Sequence, residues 1–393
     1  MIILYCDHHH HHQSAVYDDD DCANKQTLVD NISVLKLYSM SWFGGFLGGN
    51  ARETIMRGVG AVANVDRTSN INAEGLLDKV ALETLPADER KQALNQLTAV
   101  GKNGFQAVGS KMSVLTAFLK KYKDDIEVVR DVVETLTCVM TCHPKDDNII
   151  QIHNTELFLN DKETFVLLCD LLTLHDYYVR YYIARFLKVV LDNRFESVQE
   201  LILSCPMSVP NIVLLLSDTR EVVRNEIILV LYNLTKSNQE IQKIVAFEGA
   251  FDVLLDIINK EGQSEGGIIV NDCIQTLINL LKSNVSNQNY FRETGCIPRV
   301  APLLQVQNTD MWILSDNKFN IIMSSLELIL TLVERNNIST PLNQNQISQS
   351  GGAGAVGDQA CRPARRPDGA CRLAQAARRV VGPRTQGSTR AAL

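Results

Sequence analysis

The stretch "RNEIILVLYNLTKSNQEIQKIVAFEGAFDVLLDIIN", Arg224 to Asn259, holds the pattern that decides the fold. Ile227, Val230, Leu231 and Leu234 follow Arg224 at spacings that line one face of a helix. A polar break follows, then a shorter segment, "QEIQKIVAFEG", that stops at Gly249. A helix ending in the left-handed conformation favours a residue without Cβ there. "AFDVLLDIIN" begins a third apolar stripe at once. Three short helices in succession, none able to bury its stripe alone, predict a unit that is stable only when stacked on neighbours.

Working outward, the long segment recurs. "RKQALNQL" from Arg90, "RDVVETLTCVM" from Arg130, "RYYIARFLKVV" from Arg180, "NDCIQTLINLL" from Asn271 and "NIIMSSLELIL" from Asn320 share its polar start and apolar spacing. Together with Arg224 their starts lie 40, 50, 44, 47 and 49 residues apart, the period of armadillo and HEAT arrays. The expected fold is therefore all-α, an armadillo-like right-handed superhelix of about six three-helix repeats, with a long surface in place of a pocket. "DTRE", Asp218 to Glu221, has the form of a capping box. Gly295 matches Gly249 as a helix stop. "TCHPKDDNIIQIHNTELFLNDKE", Thr141 to Glu163, and "KEGQSEGG", Lys260 to Gly267, read as exposed loops that lengthen the period.

The ends differ from this body. Residues 1–40 combine runs of His and Asp without helical period and read as a disordered leader, a tag or sequence upstream of the true start; zinc binding by the His and Cys is the alternative. Residues 41–74, with "SWFGGFLGGN", read as a flexible segment, and 75–342 as the array. Residues 343–393 read as a broken seventh repeat followed by a disordered tail. "NQNQISQSG" opens like "NQEIQKIVAFEG" and "NQNYFRETG", but residues 351–393 then supply ten Ala, eight Arg and seven Gly in place of an apolar helix. That composition fits a reading-frame shift or retained non-coding sequence from near Gly351, which the transcript would show.

Charge and chemistry exclude several classes. The net charge of −7 comprises about +6 in residues 351–393 and about −13 before them, which argues against a duplex nucleic-acid binder. The ten Cys form no paired framework, and Cys138, Cys169 and Cys273 fall in apolar helical patterns. No window is long and apolar enough to span a bilayer. "GKNG" at Gly101 lacks the strand and Lys-Ser/Thr ending of a phosphate loop, and Cys138, Cys142 and His143 lack a second ligand cluster. No catalytic, cofactor or metal residues are expected. In "HDYYVRYYIARF", Tyr178, Tyr182 and Arg185 share one helix side and Val179, Ile183 and Phe186 the other, so the first set is a candidate partner contact and the second core. Asn233 and Asn279 occupy places where armadillo arrays use Asn to pair with extended peptides, but the other repeats lack it, which disfavours a general peptide groove.

Ser217 to Ile297, with the phrases "IQKIVAFE", "EGQSEGG" and "SNQNYF", closely resembles the globular head of the general vesicular transport factor family. "SWFGGFLGG" and "LPADERKQALNQL" extend the resemblance over roughly residues 41–350. It implies a non-catalytic, armadillo-like tethering head in ER-to-Golgi and intra-Golgi transport, peripheral on Golgi and vesicle membranes. Partners implied are a Rab-class small GTPase, SNARE and Golgi tethering proteins, with homodimerisation through a coiled coil that no heptad run here supplies. The polar positions Ser217, Asp218, Arg220, Glu221 and Asn225, with Glu261 and Glu265 in the loop, complete no apolar stripe and are the expected partner surface. Another cytosolic armadillo adaptor, a chaperone cofactor or a small-GTPase exchange or binding protein, is the alternative.

Overall fold

A computed structural model describes residues 73–350, except 83, 100, 144–146, 305–315 and 334–339, and the described residues contain helices and no strand. The expectations for residues 1–40, for "SWFGGFLGGN" and for 351–393 lie outside them. In chain order the helices are α1 (Ala73–Val80), α2 (Ala87–Ala99), α3 (Lys102–Ser110), α4 (Met112–Lys121), α5 (Ile126–Met140) and α6 (Ile149–Leu159). They continue as α7 (Lys162–Leu171), α8 (Tyr177–Leu203), α9 (Ser208–Leu214), α10 (Glu221–Leu234), α11 (Gln239–Phe247) and α12 (Ala250–Lys260). The last are α13 (Ile268–Leu281), α14 (Val285–Glu293), α15 (Cys296–Val300), α16 (Asp316–Leu332) and α17 (Thr340–Gln349).

The six long segments read from the sequence lie in α2, α5, α8, α10, α13 and α16, and each of these packs against the next. Their stripes form the core as the 3.6-residue period requires. Val179, Ile183 and Phe186 on α8 are fully buried, as are Ile227, Val230, Leu231 and Leu234 on α10. Edge-to-face ring pairs tie the layers: Phe158 of α6 meets Phe186 at 4.8 Å, and Phe251 of α12 meets Phe291 of α14 at 4.9 Å.

Helix starts follow local chemistry. Asp125, Asp161, Asp176, Asn238 and Asn284 each accept from a backbone N–H in the first turn of the helix they precede. Gly249 and Gly295 have φ of 84° and 76°, the left-handed stops expected of them. Gly104 in "GKNG" is a packing glycine, because a Cβ there would lie 2.0 Å from the Leu97 carbonyl oxygen at the end of α2.

Four readings need correction. Thr141 to Glu163 is not a loop: it contains α6, whose buried face includes Gln151, Asn154 and Thr155 beside Phe158 and Leu159. Polar residues on the inner face hid its period. "KEGQSEGG" is not simply exposed, since it folds into a 3-10 turn at Gln263–Glu265 with Ser264 and Gly266 buried. "DTRE" is not a capping box: α10 starts at Glu221 behind Arg220, no side chain caps it, and Asp218 turns to another partner described below. Cys138, expected in an apolar pattern with Cys169 and Cys273, is exposed, whereas those two are buried.

The recurring Asn-Gln pair also proves to be two different things. Ser237 and Ser283, both at φ 56°, precede the capping residues Asn238 and Asn284, and this equivalence sets the register. Asn238-Gln239 therefore starts its helix, while Asn287-Gln288 sits one turn inside the next one. From that inner position Asn287 Nδ2 donates to Leu280 O at 2.8 Å and Gln288 Nε2 to Leu281 O at 2.9 Å. Gln242 does the same for Thr235 O, Asn343 for Leu332 O and Asn154 for Val139 O. The last carbonyls of a helix have no intrahelical partner; buried here between layers, they are satisfied by amides of the following short helix.

α8 departs from the three-helix plan. It joins a long helix to the first helix of the next unit with no intervening loop, bent at Arg194, whose φ of −146° and ψ of 64° are not helical. The bend is held from outside: Asn193 Nδ2 donates to Met140 O and Thr155 Oγ1, both at 2.8 Å, and Arg194 pairs with Glu156 at 2.6 Å. At the far end α17, the expected start of a seventh unit, forms and packs against α15.

Candidate functional site

Most of the polar residues singled out in the sequence lie at the starts of α8 and α10 or in the connections that lead into α10 and α13. Arg180, in the first turn of α8, reaches Asp218 of the next unit, with Nε 3.0 Å from Oδ2. That distance makes an ion pair, although the N–H is not aligned for a hydrogen bond. The Asp218 side chain is 2% exposed and also accepts from the Arg220 backbone N–H at 2.8 Å. One unit on, Arg224 in the first turn of α10 pairs with Glu261 at 2.6 Å and donates to its neighbour Asn225 at 2.9 and 3.1 Å. One unit further, Glu265 pairs with Lys318 of α16. The ion pairs cross from one repeat to the next, so Asp218, Glu261 and Glu265 lock the stack, while Asn225 accepts from its neighbour Arg224 and orients it.

Ser217, Arg220 and Glu221 are exposed on the same edge. Arg220 lies over the ring of Tyr177, its Cζ 5.6 Å from the centroid. Tyr177 is stacked on Tyr181 at 6.0 Å and meets Tyr178 edge-on at 5.0 Å. Arg185 lies 5.6 Å over Tyr181, and Arg130 of α5 lies 5.7 Å over Tyr178. The division of "HDYYVRYYIARF" into an inner apolar side and an outer Tyr/Arg side holds, with Tyr178 exposed and Tyr182 half-buried. Burial, and the nearby Glu134 carboxylate with which it hydrogen-bonds, push the Tyr182 hydroxyl up. Tyr177, Tyr181 and Arg130 were not singled out in the sequence; four Tyr in an i, i+1, i+4, i+5 pattern was the available signal.

Asn233 and Asn279 belong to the opposite ends of their helices and are not brought to this edge. Asn233 is 7% exposed; it donates to Asp192 at 2.6 Å and accepts from Lys236 Nζ at 2.7 Å. Asn279 donates to Tyr232 O at 2.9 Å. Both amides thus have a partner within the chain. Lys236, 4.7 Å over the Tyr232 ring, has its ammonium pushed below the ordinary lysine value by burial, with Asp192 opposing that shift.

Among the described residues, no group of three or more His, Cys, Asp or Glu is placed to hold a metal ion, and no single helix is long and apolar enough to cross a membrane. The described residues present a regular helical stack with ion pairs and stacked aromatic rings along one edge.

Such a stack defines an armadillo-like repeat protein, and solved structures agree on the fold. Uso1-2 superposes with a TM-score of 0.72 at 24% identity, over 82% of this chain and 52% of that one. A designed armadillo repeat protein does so with a TM-score of 0.52 at 16% identity, over 66% and 99%. No family model matches the chain. By sequence, the general vesicular transport factor p115 of Bos taurus is 37% identical over 295 residues, 72% of this chain and 30% of its own. Over those residues this chain is a homologue of the general vesicular transport factors, as the resemblance in the sequence implied, and it spans under a third of their length.

Proposed function

We propose that this chain supplies a non-catalytic, protein-binding part of a vesicle tethering and docking factor in ER-to-Golgi and intra-Golgi transport. It acts from the cytoplasm as a peripheral protein of Golgi and transport-vesicle membranes. The homology to the vesicular transport factors over 72% of the chain carries this reading, and an array whose conspicuous polar groups serve packing or exposure fits a scaffold. Its partners are a Rab-class small GTPase, SNAREs and Golgi tethering proteins, with dimerisation belonging to parts of the relatives beyond this chain.

Within the edge described above, the contact role falls to Ser217, Arg220 and Glu221. They are exposed, and the ion pairs along this edge, Arg180 with Asp218, Arg224 with Glu261 and Lys318 with Glu265, do not involve them. Asp218, Asn225, Glu261 and Glu265 position that edge, and Asn233 and Asn279 hold helix ends. The test is recruitment of the purified chain to Golgi membranes bearing a Rab-class GTPase loaded with either a non-hydrolysable GTP analogue or GDP. Recruitment is expected with the GTP analogue alone, and Arg220→Glu with Glu221→Arg should reduce it at least tenfold with helicity unchanged. Equal recruitment in both nucleotide states removes the GTPase from the reading, and full recruitment of the variant removes this edge.

A further inference from the structure

We infer that the Tyr/Arg platform on α5, α8 and the start of α10 is a docking site for an acidic segment of a partner protein, one whose carboxylates alternate with apolar side chains. Three guanidinium groups, of Arg130, Arg185 and Arg220, each lie over a tyrosine ring, at 5.7, 5.6 and 5.6 Å. A guanidinium held over a ring spends its face on that contact and keeps its N–H edge for a carboxylate, which it meets with two parallel hydrogen bonds.

Charge complementarity names the occupant. Elsewhere on the array arginines meet carboxylates within the chain: Arg180 with Asp218, Arg194 with Glu156, Arg224 with Glu261, and Arg299 with Asp252 and Asp256. Arg130 has Asp131 beside it, but among the described residues no carboxylate lies within ion-pair distance of Arg185 or Arg220. On the platform this leaves the N–H edges of Arg185 and Arg220 open to a carboxylate from outside. The rings supply the apolar half of the contact, with Tyr178 51% exposed. Ring-to-ring contacts and three packed helices fix the platform beforehand, which lowers the ordering cost of binding. Tyr and Arg are the residues from which such contact centres are made.

A nucleic-acid strand is the competing occupant, since bases also stack on tyrosine. It is disfavoured because Asp131, Glu134 and Glu221 flank the platform and would repel a continuous run of phosphates, whereas a peptide can place two carboxylates and no more.

The test is fluorescence anisotropy on the full chain with three labelled probes of equal length: a peptide alternating Glu and Leu, its counterpart with Gln for Glu, and an oligothymidylate. The Glu peptide is expected to bind saturably and the Gln peptide at least tenfold more weakly. Arg185→Gln and Arg220→Gln should each weaken binding about tenfold, the scale of one charge-assisted contact, and Tyr178→Ala should weaken it too. Lys243→Gln, an exposed cation on α11, should leave it unchanged, and circular dichroism reports that each variant folds. Equal binding of the two peptides, preferential binding of the oligothymidylate, or no binding of the Glu peptide overturns the proposal. The probes do not involve a GTPase, so this result and the recruitment result can fail separately.

Discussion

Replacing Asn287 by alanine isolates the amide capping that joins successive layers. Asn287 is 1% exposed, and its Nδ2 donates to Leu280 O at 2.8 Å and to Gln242 O at 3.0 Å. The two losses are unequal. Gln242 lies mid-helix in α11 and keeps its own helical bond, so it forfeits a net hydrogen bond worth about 1 kcal/mol. Leu280 O has no such reserve, because the Asn284 N–H that would reach it instead donates to Leu281 O. A buried carbonyl left without a partner costs about 1–3 kcal/mol. The expected destabilisation is therefore about 2–4 kcal/mol, read as a shift in the urea midpoint by far-UV circular dichroism, against Ser286→Ala on the exposed side of the same helix as the control. Asn287→Asp should cost more than alanine, since it sets a carboxylate oxygen against carbonyl oxygens. A loss under about 1 kcal/mol for Asn287→Ala, or an aspartate variant as stable as the alanine one, would refute the capping account.

The loop from Lys260 to Gly267 is tested by two adjacent glycines. A Cβ on Gly266 would lie 2.4 Å from Val270 Cγ2 and 2.7 Å from Glu261 O, whereas one on Gly267 meets nothing within 4 Å; Gly266→Ala should lower stability by about 1–3 kcal/mol and Gly267→Ala hardly at all, and equal melting temperatures would contradict this. Asp161 gives a pH dependence: burial opposes its ionisation, but hydrogen bonds from Lys120 at 2.8 Å and the Thr164 N–H hold its carboxyl below the ordinary value. A depressed folded-state value stabilises above the unfolded value and is lost as pH falls through the folded one. Asp161→Asn keeps the cap and removes the charge, so the wild-type advantage, under about 1 kcal/mol for so exposed a pair, should be present at neutral pH and fade as pH falls below about 4; an advantage undiminished under strong acid refutes the assignment.

The long helices were legible because their inner faces are apolar at nearly every turn, as Ile227, Val230 and Leu231 show. α6 was not, because Gln151, Asn154 and Thr155 occupy inner positions where a periodicity argument looks for Leu or Val. Those amides become intelligible only when the carbonyls opposite them are known, and nothing in a linear sequence says which helix end will lie opposite Asn154. The same limit misplaced the Asn-Gln pair: identical dipeptides serve as a helix start at Asn238 and as an interlayer clamp at Asn287. "DTRE" failed for a different reason, since Asp218 had a stronger partner, Arg180, a unit earlier in the chain. Of the proposed partner surface, the sequence marked which polar residues complete no stripe, but not that Asp218, Glu261 and Glu265 pair across repeats while Ser217, Arg220 and Glu221 stay exposed.

The bend in α8 makes its junction unlike those at Ser237 and Ser283. At Ser237 and Ser283 a unit ends in a short polar turn, where the chain reverses at a left-handed serine and the next helix starts afresh. Such turns are natural seams for duplicating, deleting or exchanging units. At Arg194 there is no such turn: two helical segments meet across one non-helical residue, and the bend is anchored to α5 and α6 through Asn193 and Arg194. The units on either side must therefore be inherited, transplanted or engineered as a pair, and a chimera cut at residue 194 would break the anchored bend that joins them.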